Sequence, residues 1–330
     1  AQWLLRKQIL QPGDWSYKNP TSNATGGWAF EFFNRWYPDV DDSAVVVMAL
    51  DAVHVTDKTQ NQDESESESF SAAVKRHAVA RAVAWIASMQ CKSGGWGAFD
   101  KDNDQDWLNA MPFGDLKAMI DPNTADVTAR VLEMAGRLAI NPDNVGLLPD
   151  KEVLERGLAY LRREQEADGC WFGRWGVNYI YGTSGAMVAL AALAGKQHEE
   201  EIGKAASWLL KVQNEKDGGW GESCLTYDIG PGPGAVKKGR MEGDEEAGST
   251  ASQTAWAIMG LLAAGEATGS YEMDAIERGV EFLLNTQRPD GSWHERSFTG
   301  TGFPGHFYLR YHYYAQHFPL TALSRYRSAC

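Results

Sequence analysis

The sequence predicts an all-α fold built as two concentric rings of helices, an α/α toroid. Three observations carry that expectation. A phrase of the form QxxxGxW recurs along the chain, an amphipathic helical stretch precedes each clear copy, and a more uniformly apolar helical stretch lies between copies. Recurrence at such intervals marks a repeat architecture, in which each unit buries its apolar face against its neighbours.

The four clear copies are QCKSGGW (90–96), QEADGCW (165–171), QNEKDGGW (213–220) and QRPDGSW (287–293), with Trp-to-Trp intervals of 75, 49 and 73 residues. A weaker copy, QILQPGDW, occupies 8–15. Upstream of the clear copies, residues 73–89, 152–164, 202–212 and 275–286 carry apolar side chains at helical spacing with charges between them. Each phrase then supplies a glycine to end its helix. Helices with a wet face form the outer ring. Residues 43–53, 126–139, 184–195 and 252–265 are apolar on nearly every face and belong to the buried inner ring. The phrase itself reads as a helix stop with a core Trp, its Gln bonded to a neighbouring helix end. Two stretches break the pattern: 57–70, which contains the acidic NQDESESESF, and 228–248, rich in Gly, Pro and charge. Both are expected to be mobile insertions in a single domain spanning residues 1–330.

Composition narrows the possible partners. With 31 basic and 44 acidic residues the formal charge is −13, which repels nucleic acid and anionic lipid surfaces. The four cysteines lie far apart without a CxxC pair, so a disulfide framework or thiolate zinc site is not expected and a reducing compartment fits. The longest apolar run, residues 44–50, is too short to span a bilayer. The opening AQWLLRKQIL has a helical pattern but no initiator Met or leader, and reads as part of something longer.

Chemistry concentrates in YPDVDDSAVVV, residues 37–47, where Asp39, Asp41 and Asp42 crowd ahead of an apolar helical run. From the motif alone two readings stay open. The carboxylates can cap the helix and complement its positive end, or one of them is an acid whose proton is retained because its neighbours carry like charge. Elsewhere FDKDNDQDW (99–107) imitates the start of a calcium loop, but Gln105 stands where Gly is needed and Met111 where Glu is needed. The seven histidines form no ligand pair; His306, His312 and His317 lie among aromatics.

Taken with GRWGVNYIYGTSGA (173–186) and GTGFPGHFYLRYHYY (300–314), the DVDD motif and the repeats make the chain resemble the squalene–hopene cyclases, class II triterpene cyclases of bacteria. The resemblance covers the whole chain and corresponds to the acid-bearing C-terminal half of such an enzyme, the second barrel of the family being absent. It implies an isomerase or lyase that cyclises squalene, or a related polyprene, to hopene- or hopanol-type pentacyclic triterpenes without cofactor or metal. It further implies peripheral attachment to the cytoplasmic side of a membrane, admits a homodimer, and involves no nucleic acid.

Such a reaction begins by protonating an isolated alkene, a very weak base, so the acid must be strong and yet still hold its proton near neutrality. By resemblance Asp41 is the proton donor, with Asp39 and Asp42 polarising it. The family commonly has His in the phrase DVTAH; here the phrase is DVTAR, so Arg130 stands in the place of that partner. A guanidinium cannot release a proton and favours an ionised carboxylate. Asp126, and Tyr181 through an ordered water, are the supporting residues the resemblance implies. The carbocation formed needs aromatic faces and a dry wall. The resemblance assigns these to Phe30, Phe99, Trp175, Phe303, Phe307, Tyr311 and Tyr314, with Phe113 and Gly114 at the substrate entrance. Phe99 stands where the family often has Tyr, and Leu116 where it often has an aromatic. Two other readings compete: a zinc-dependent protein prenyltransferase-like subunit using Cys224 and His306, and a non-catalytic, lipid-binding half-enzyme.

Overall fold

The computed structural model describes residues 1–19, 24–31, 33–54, 71–236 and 248–329. In chain order its helices are α1 Gln2–Lys7, α2 Trp15–Lys18, α3 Val40–Asp51, α4 Ala72–Ser88, α5 Ala125–Ile140, α6 Lys151–Arg163, α7 Tyr179–Ala194, α8 Glu199–Val212, α9 Thr226–Ile229, α10 Ala251–Thr268, α11 Met273–Thr286 and α12 Tyr314–Ala329. Two short antiparallel pairs accompany them: β1 Trp28–Ala29 with β2 Pro38–Asp39, and β3 Gly300–Phe303 with β4 Phe307–Leu309.

Helices α3, α5, α7, α10 and α12 pack side by side in sequence order as the inner ring. Outside them α4 lies on α3, α6 on α5, α8 on α7 and α10, and α11 on α10. The fold is thus the α/α toroid. The contrast between rings follows from burial: α10 buries nearly all of its length, whereas α6 buries only Gly157, Tyr160 and Leu161. Helix α5 serves two cores. Ala129 and Leu132 face the α7–α12 side, while Val131, Met134 and Leu138 face α3 and α4.

The repeated phrase is a structural clasp. The indole N–H groups of Trp96, Trp171, Trp220 and Trp293 donate to the carbonyls of Ile86, Leu161, Leu209 and Leu283 at 2.7–2.8 Å. These carbonyls belong to the last turns of α4, α6, α8 and α11, so each indole pins the end of its outer helix. In the first three copies the Gln reaches onward to the following outer helix: Gln90 Nε2 donates to Val153 O, Gln165 Nε2 to Glu201 O and Gln213 Nε2 to Ala275 O, all within 2.9 Å, whereas Gln287 Nε2 bonds Gly291 O of its own turn. Gly94 has φ +99°, and a Cβ there would lie 2.5 Å from Arg156 O, so the turn requires glycine.

Two elements differ from the sequence expectation. Helix α3 begins three residues before the expected 43, so Asp41 and Asp42 lie inside its first turn. Helix α12, which adds an inner-ring member, was not expected because Pro319 and scattered polar residues hide its period. The expected insertion at 57–70 lies outside the described residues, as does 237–247 of the other; α9 covers Thr226–Ile229 at the border of that second stretch. Among the described residues no helix is long and apolar enough to cross a membrane.

Candidate active site

The acid motif is placed by the first strand pair. Pairing of Trp28 with Asp39, and a bond from Val40 N to Ala98 O at 2.8 Å, fix the backbone where α3 starts. Asp39 is extended (φ −105°, ψ 132°), and its Oδ1 accepts from Asp42 N at 2.9 Å. The capping reading therefore holds for Asp39. Asp41 and Asp42, one helical step further on, remain available for chemistry.

Their surroundings differ. Burial first, then the charges of Asp42 and Asp41, raises Asp39 well above the usual carboxylate range, against the opposing bond from Asp42 N. Asp42 is pushed up to about 7, chiefly by burial and next by Asp41, while Arg130 opposes the shift. Asp41, with its side chain 30% exposed, accepts from Arg130 Nε at 3.0 Å. The structure thus brings together Asp41 and Arg130, residues 89 apart in sequence.

Behind Arg130 lies a network that sequence reasoning missed. Arg130 Nη1 donates to Glu133 Oε2 at 2.9 Å, and Arg137 and Arg325 donate to Glu133 Oε1 at 2.8 and 3.0 Å. Burial alone would raise Glu133, but Arg130, Arg325 and Arg137 pull its pKa down to about 2. The spacing of Arg130, Glu133 and Arg137 along one helix face was a readable signal; nothing local pointed to Arg325.

Asp126 is buried and holds Trp175, whose backbone N donates to its Oδ2 at 2.8 Å. Burial raises its pKa, against bonds from Thr124 and from Trp175 N. Tyr181 is buried beside Trp256, centroids 4.8 Å apart, and its pKa is raised by burial and then by Asp41. Asp121, another unforeseen residue, accepts from the backbone N of Phe99 and Asp100 at 2.7 and 2.8 Å and so orients the Phe99 loop.

The expected aromatic wall forms in pieces. Phe99 meets Trp175 edge-on at 6.0 Å. Phe30, Tyr311 and Tyr314 form a second chain, with centroid spacings of 6.3 and 4.7 Å. Phe303 and Phe307 pair across the β3–β4 hairpin, which Thr301 N ties to Trp175 O at 3.1 Å. Phe113 is 71% exposed in a surface turn that also exposes Leu116 and Met119. The aromatic wall is open at Phe30 and Phe307, both of which are exposed. Arg174, unforeseen, stacks its guanidinium over Trp175 at 4.9 Å.

A cavity of about 780 Å³ lies among the inner-ring helices, lined by Asp126, Arg130 and Glu133 of α5, Tyr181 of α7, Trp256 of α10 and Tyr314 of α12. Arg130, Asp126, Tyr181 and Tyr314 line this cavity, and Arg130 also bonds Asp41 of the acid motif. Cys224 and His306 are not gathered with an acid: among the described residues no group of three His, Cys, Asp or Glu side chains could hold a metal ion. The Asp100–Asp104 loop spends its acids internally, Asp102 on Lys92 N and Asp100 on Asn103.

The chain matches the family model described as squalene-hopene cyclase C-terminal domain over residues 1–328. It is 58% identical to a dammaradiene synthase of Dryopteris crassirhizoma, over 99% of this chain and 46% of that protein. It is 44% identical to a squalene–hopene cyclase of Zymomonas mobilis, over 99% of this chain and 44% of the relative, and 45% identical to that of Alicyclobacillus acidocaldarius, over 100% and 46%. The chain thus spans less than half the length of these curated relatives. Among solved structures it resembles the type II terpene cyclase MstE from Scytonema in complex with merosterolic acid A, with a TM-score of 0.57 and 17% identity over 92% of this chain and 77% of that one. At that identity the likeness speaks for the fold.

Proposed function

Because the chain belongs to the squalene–hopene cyclase family and matches its C-terminal domain, we propose that it is the acid-bearing half of a protonation-initiated triterpene cyclase. Its substrate is squalene or a related polyprene. One observation carries the reading: three carboxylates crowd one helix start and one of them, Asp41, pairs with the Arg130 guanidinium, with Phe99–Trp175 and Phe30–Tyr311–Tyr314 as aromatic groups of the same site.

A carboxylic acid of the Asp39–Asp41–Asp42 cluster gives its proton to a terminal alkene. The π pair forms the new C–H bond, the O–H pair stays on oxygen, and the cation moves along the folded chain as rings close. Trp175, Phe303, Phe307 and Tyr311 offer ring faces that attract the cation and contain no strong nucleophile to trap it. Deprotonation of the last cation gives a hopene-type alkene; capture of water gives a hopanol-type alcohol. The exposed aromatic face fits a wall completed by the portion of the relatives' length that this chain does not span. Exposed Phe113 and Trp107 suit uptake of an apolar substrate from a membrane surface, with attachment through apolar contact rather than basic charge.

The test is incubation with squalene of the chain alone and of the chain supplied with the N-terminal half of a relative, with products resolved by mass spectrometry. The proposal expects cyclic triterpene that a chelator leaves unchanged. Cyclic product surviving simultaneous replacement of Asp39, Asp41 and Asp42 by Asn would overturn it.

A further inference from the structure

Among the described residues the Gln–Gly–Trp clasp occurs five times around the outer ring. Four copies are the clear sequence phrases. The other joins Gln8 to Gly26 and Trp28 across an inserted stretch, so that Trp28 rather than Trp15 bonds the end of α1, through Leu4 O at 2.7 Å. In every copy the indole meets the carbonyl four residues before the Gln. In four of them the Gln then holds another outer helix: Gln8, Gln90, Gln165 and Gln213 donate to Ala78, Val153, Glu201 and Ala275 of α4, α6, α8 and α11. A basic residue stands three positions after each of these acceptors, namely Arg81, Arg156, Lys204 and Arg278. It packs on the positive-φ glycine of the clasp: a Cβ on Gly26, Gly94, Gly169 or Gly218 would come within 2.5–2.9 Å of it. Arg81 and Arg278 also donate to the Oε1 of Gln8 and Gln213, at 2.9 and 2.5 Å.

The copy at the end of α11 has every part except the helix it would hold. Gln287 Nε2 bonds Gly291 O at 2.9 Å, as Gln90 and Gln165 bond Gly94 O and Gly169 O, and Trp293 bonds Leu283 O. Gly291 has the matching positive φ, +83°, yet among the described residues a Cβ there would meet nothing within 4 Å. Gln287 and Gly291 are exposed, whereas Gln90 and Gln213 are buried. Leu284 is 55% exposed, while Leu210, at the same place before its own clasp, is half-buried. We infer that this clasp is a docking site for the first turns of one more outer helix, supplied by the portion of the relatives' length that this chain does not span. The filled copies state the chemistry of the occupant: an amphipathic helix in which the accepting carbonyl is followed three residues later by Arg or Lys. A second copy of this chain does not fit, because α4, α6, α8 and α11 already lie in clasps and Leu4 O of the six-residue α1 is taken by Trp28. The inner ring is open in the same sector, where Val45 of α3 and Leu320 of α12 line the cavity and are exposed.

Hydrogen exchange read by mass spectrometry, together with a photo-cross-linker, tests this. In the chain alone the amides of 287–293 should exchange faster than those of 90–96, 165–171 and 213–220, where the clasps are filled; equal protection overturns the proposal. Co-expression with the N-terminal portion of the Dryopteris crassirhizoma dammaradiene synthase should then protect 287–293. A benzoylphenylalanine introduced at position 284 should cross-link to a helix start of that portion carrying Arg or Lys at the stated spacing. Gln287→Ala should weaken the complex about tenfold, for the hydrogen bonds its amide gives and receives in a filled clasp. Cross-links confined to a second copy or to the same chain, cross-links to a segment without that basic residue, or an unchanged affinity in Gln287→Ala overturn the inference. None of these readouts measures cyclisation, so a complex that docks as expected but forms no triterpene upholds the docking site and sinks the cyclase reading instead.

Discussion

Replacing Glu133 by Gln tests the charge network that fixes Arg130. Glu133 has a side chain only 6% exposed, and three guanidiniums converge on it. Its pKa falls from the ordinary 4.5 to about 2, a shift worth about 3 kcal/mol. Because the folded value is the lower one, this stabilisation is fully present above about pH 4.5 and is lost as pH falls toward about 2. The variant keeps the shape but lacks the charge, leaving Arg130 and Arg325 facing an uncharged amide. Breaking a buried ion network from one side costs about 3 kcal/mol, consistent with that shift. For a chain of this length the melting temperature should drop by about 4 °C. Urea unfolding at pH 7 should place Glu133→Gln about 3 kcal/mol below the parent, and the gap should narrow as pH falls below about 4.5. Equal stability at pH 7, or a gap independent of acid, would refute the reasoning.

Three further outcomes follow from the clasp and the aromatic wall. Trp96→Phe removes the indole bond to Ile86 O in a fully buried site and should cost about 1–3 kcal/mol in denaturant unfolding. Gly94→Ala forces a side chain into positive φ against Arg156 O and should destabilise by about 1–3 kcal/mol, read the same way. Trp175→Ala in the completed enzyme should slow cyclisation up to about 30-fold, if a cation–π contact worth about 2 kcal/mol is lost, and mass spectrometry should find more partly cyclised product. An unchanged rate and product pattern would remove Trp175 from the cation path.

The repeated phrase and the helical periods were legible because they depend on chain neighbours. Residues 126–139 were expected to be helical and Ala125–Ile140 are; Trp96, Trp171 and Trp220 were expected in the core and are fully buried. At Tyr314–Ala329 the reading failed, since Pro319 and interspersed His and Arg residues erase the apolar period that packing against α10 nevertheless supports. The DVDD motif was visible, but its two readings could not be separated: Asp39 proved to be the cap, while Asp41 and Asp42 differ through groups that no local pattern reveals.

Sequence by itself therefore determined the double ring, because a 3.6-residue period and a glycine stop act within one turn of the chain. The resemblance pointed to Arg130 as the partner of Asp41, but the contact itself, and the second grip on Glu133, are set by the tertiary structure. Arg130 reaches Asp41 from 89 residues away, and Arg325 reaches Glu133 from 192. The charge on a carboxylate depends on its burial and on whatever lies within a few ångströms, and only folding sets those distances.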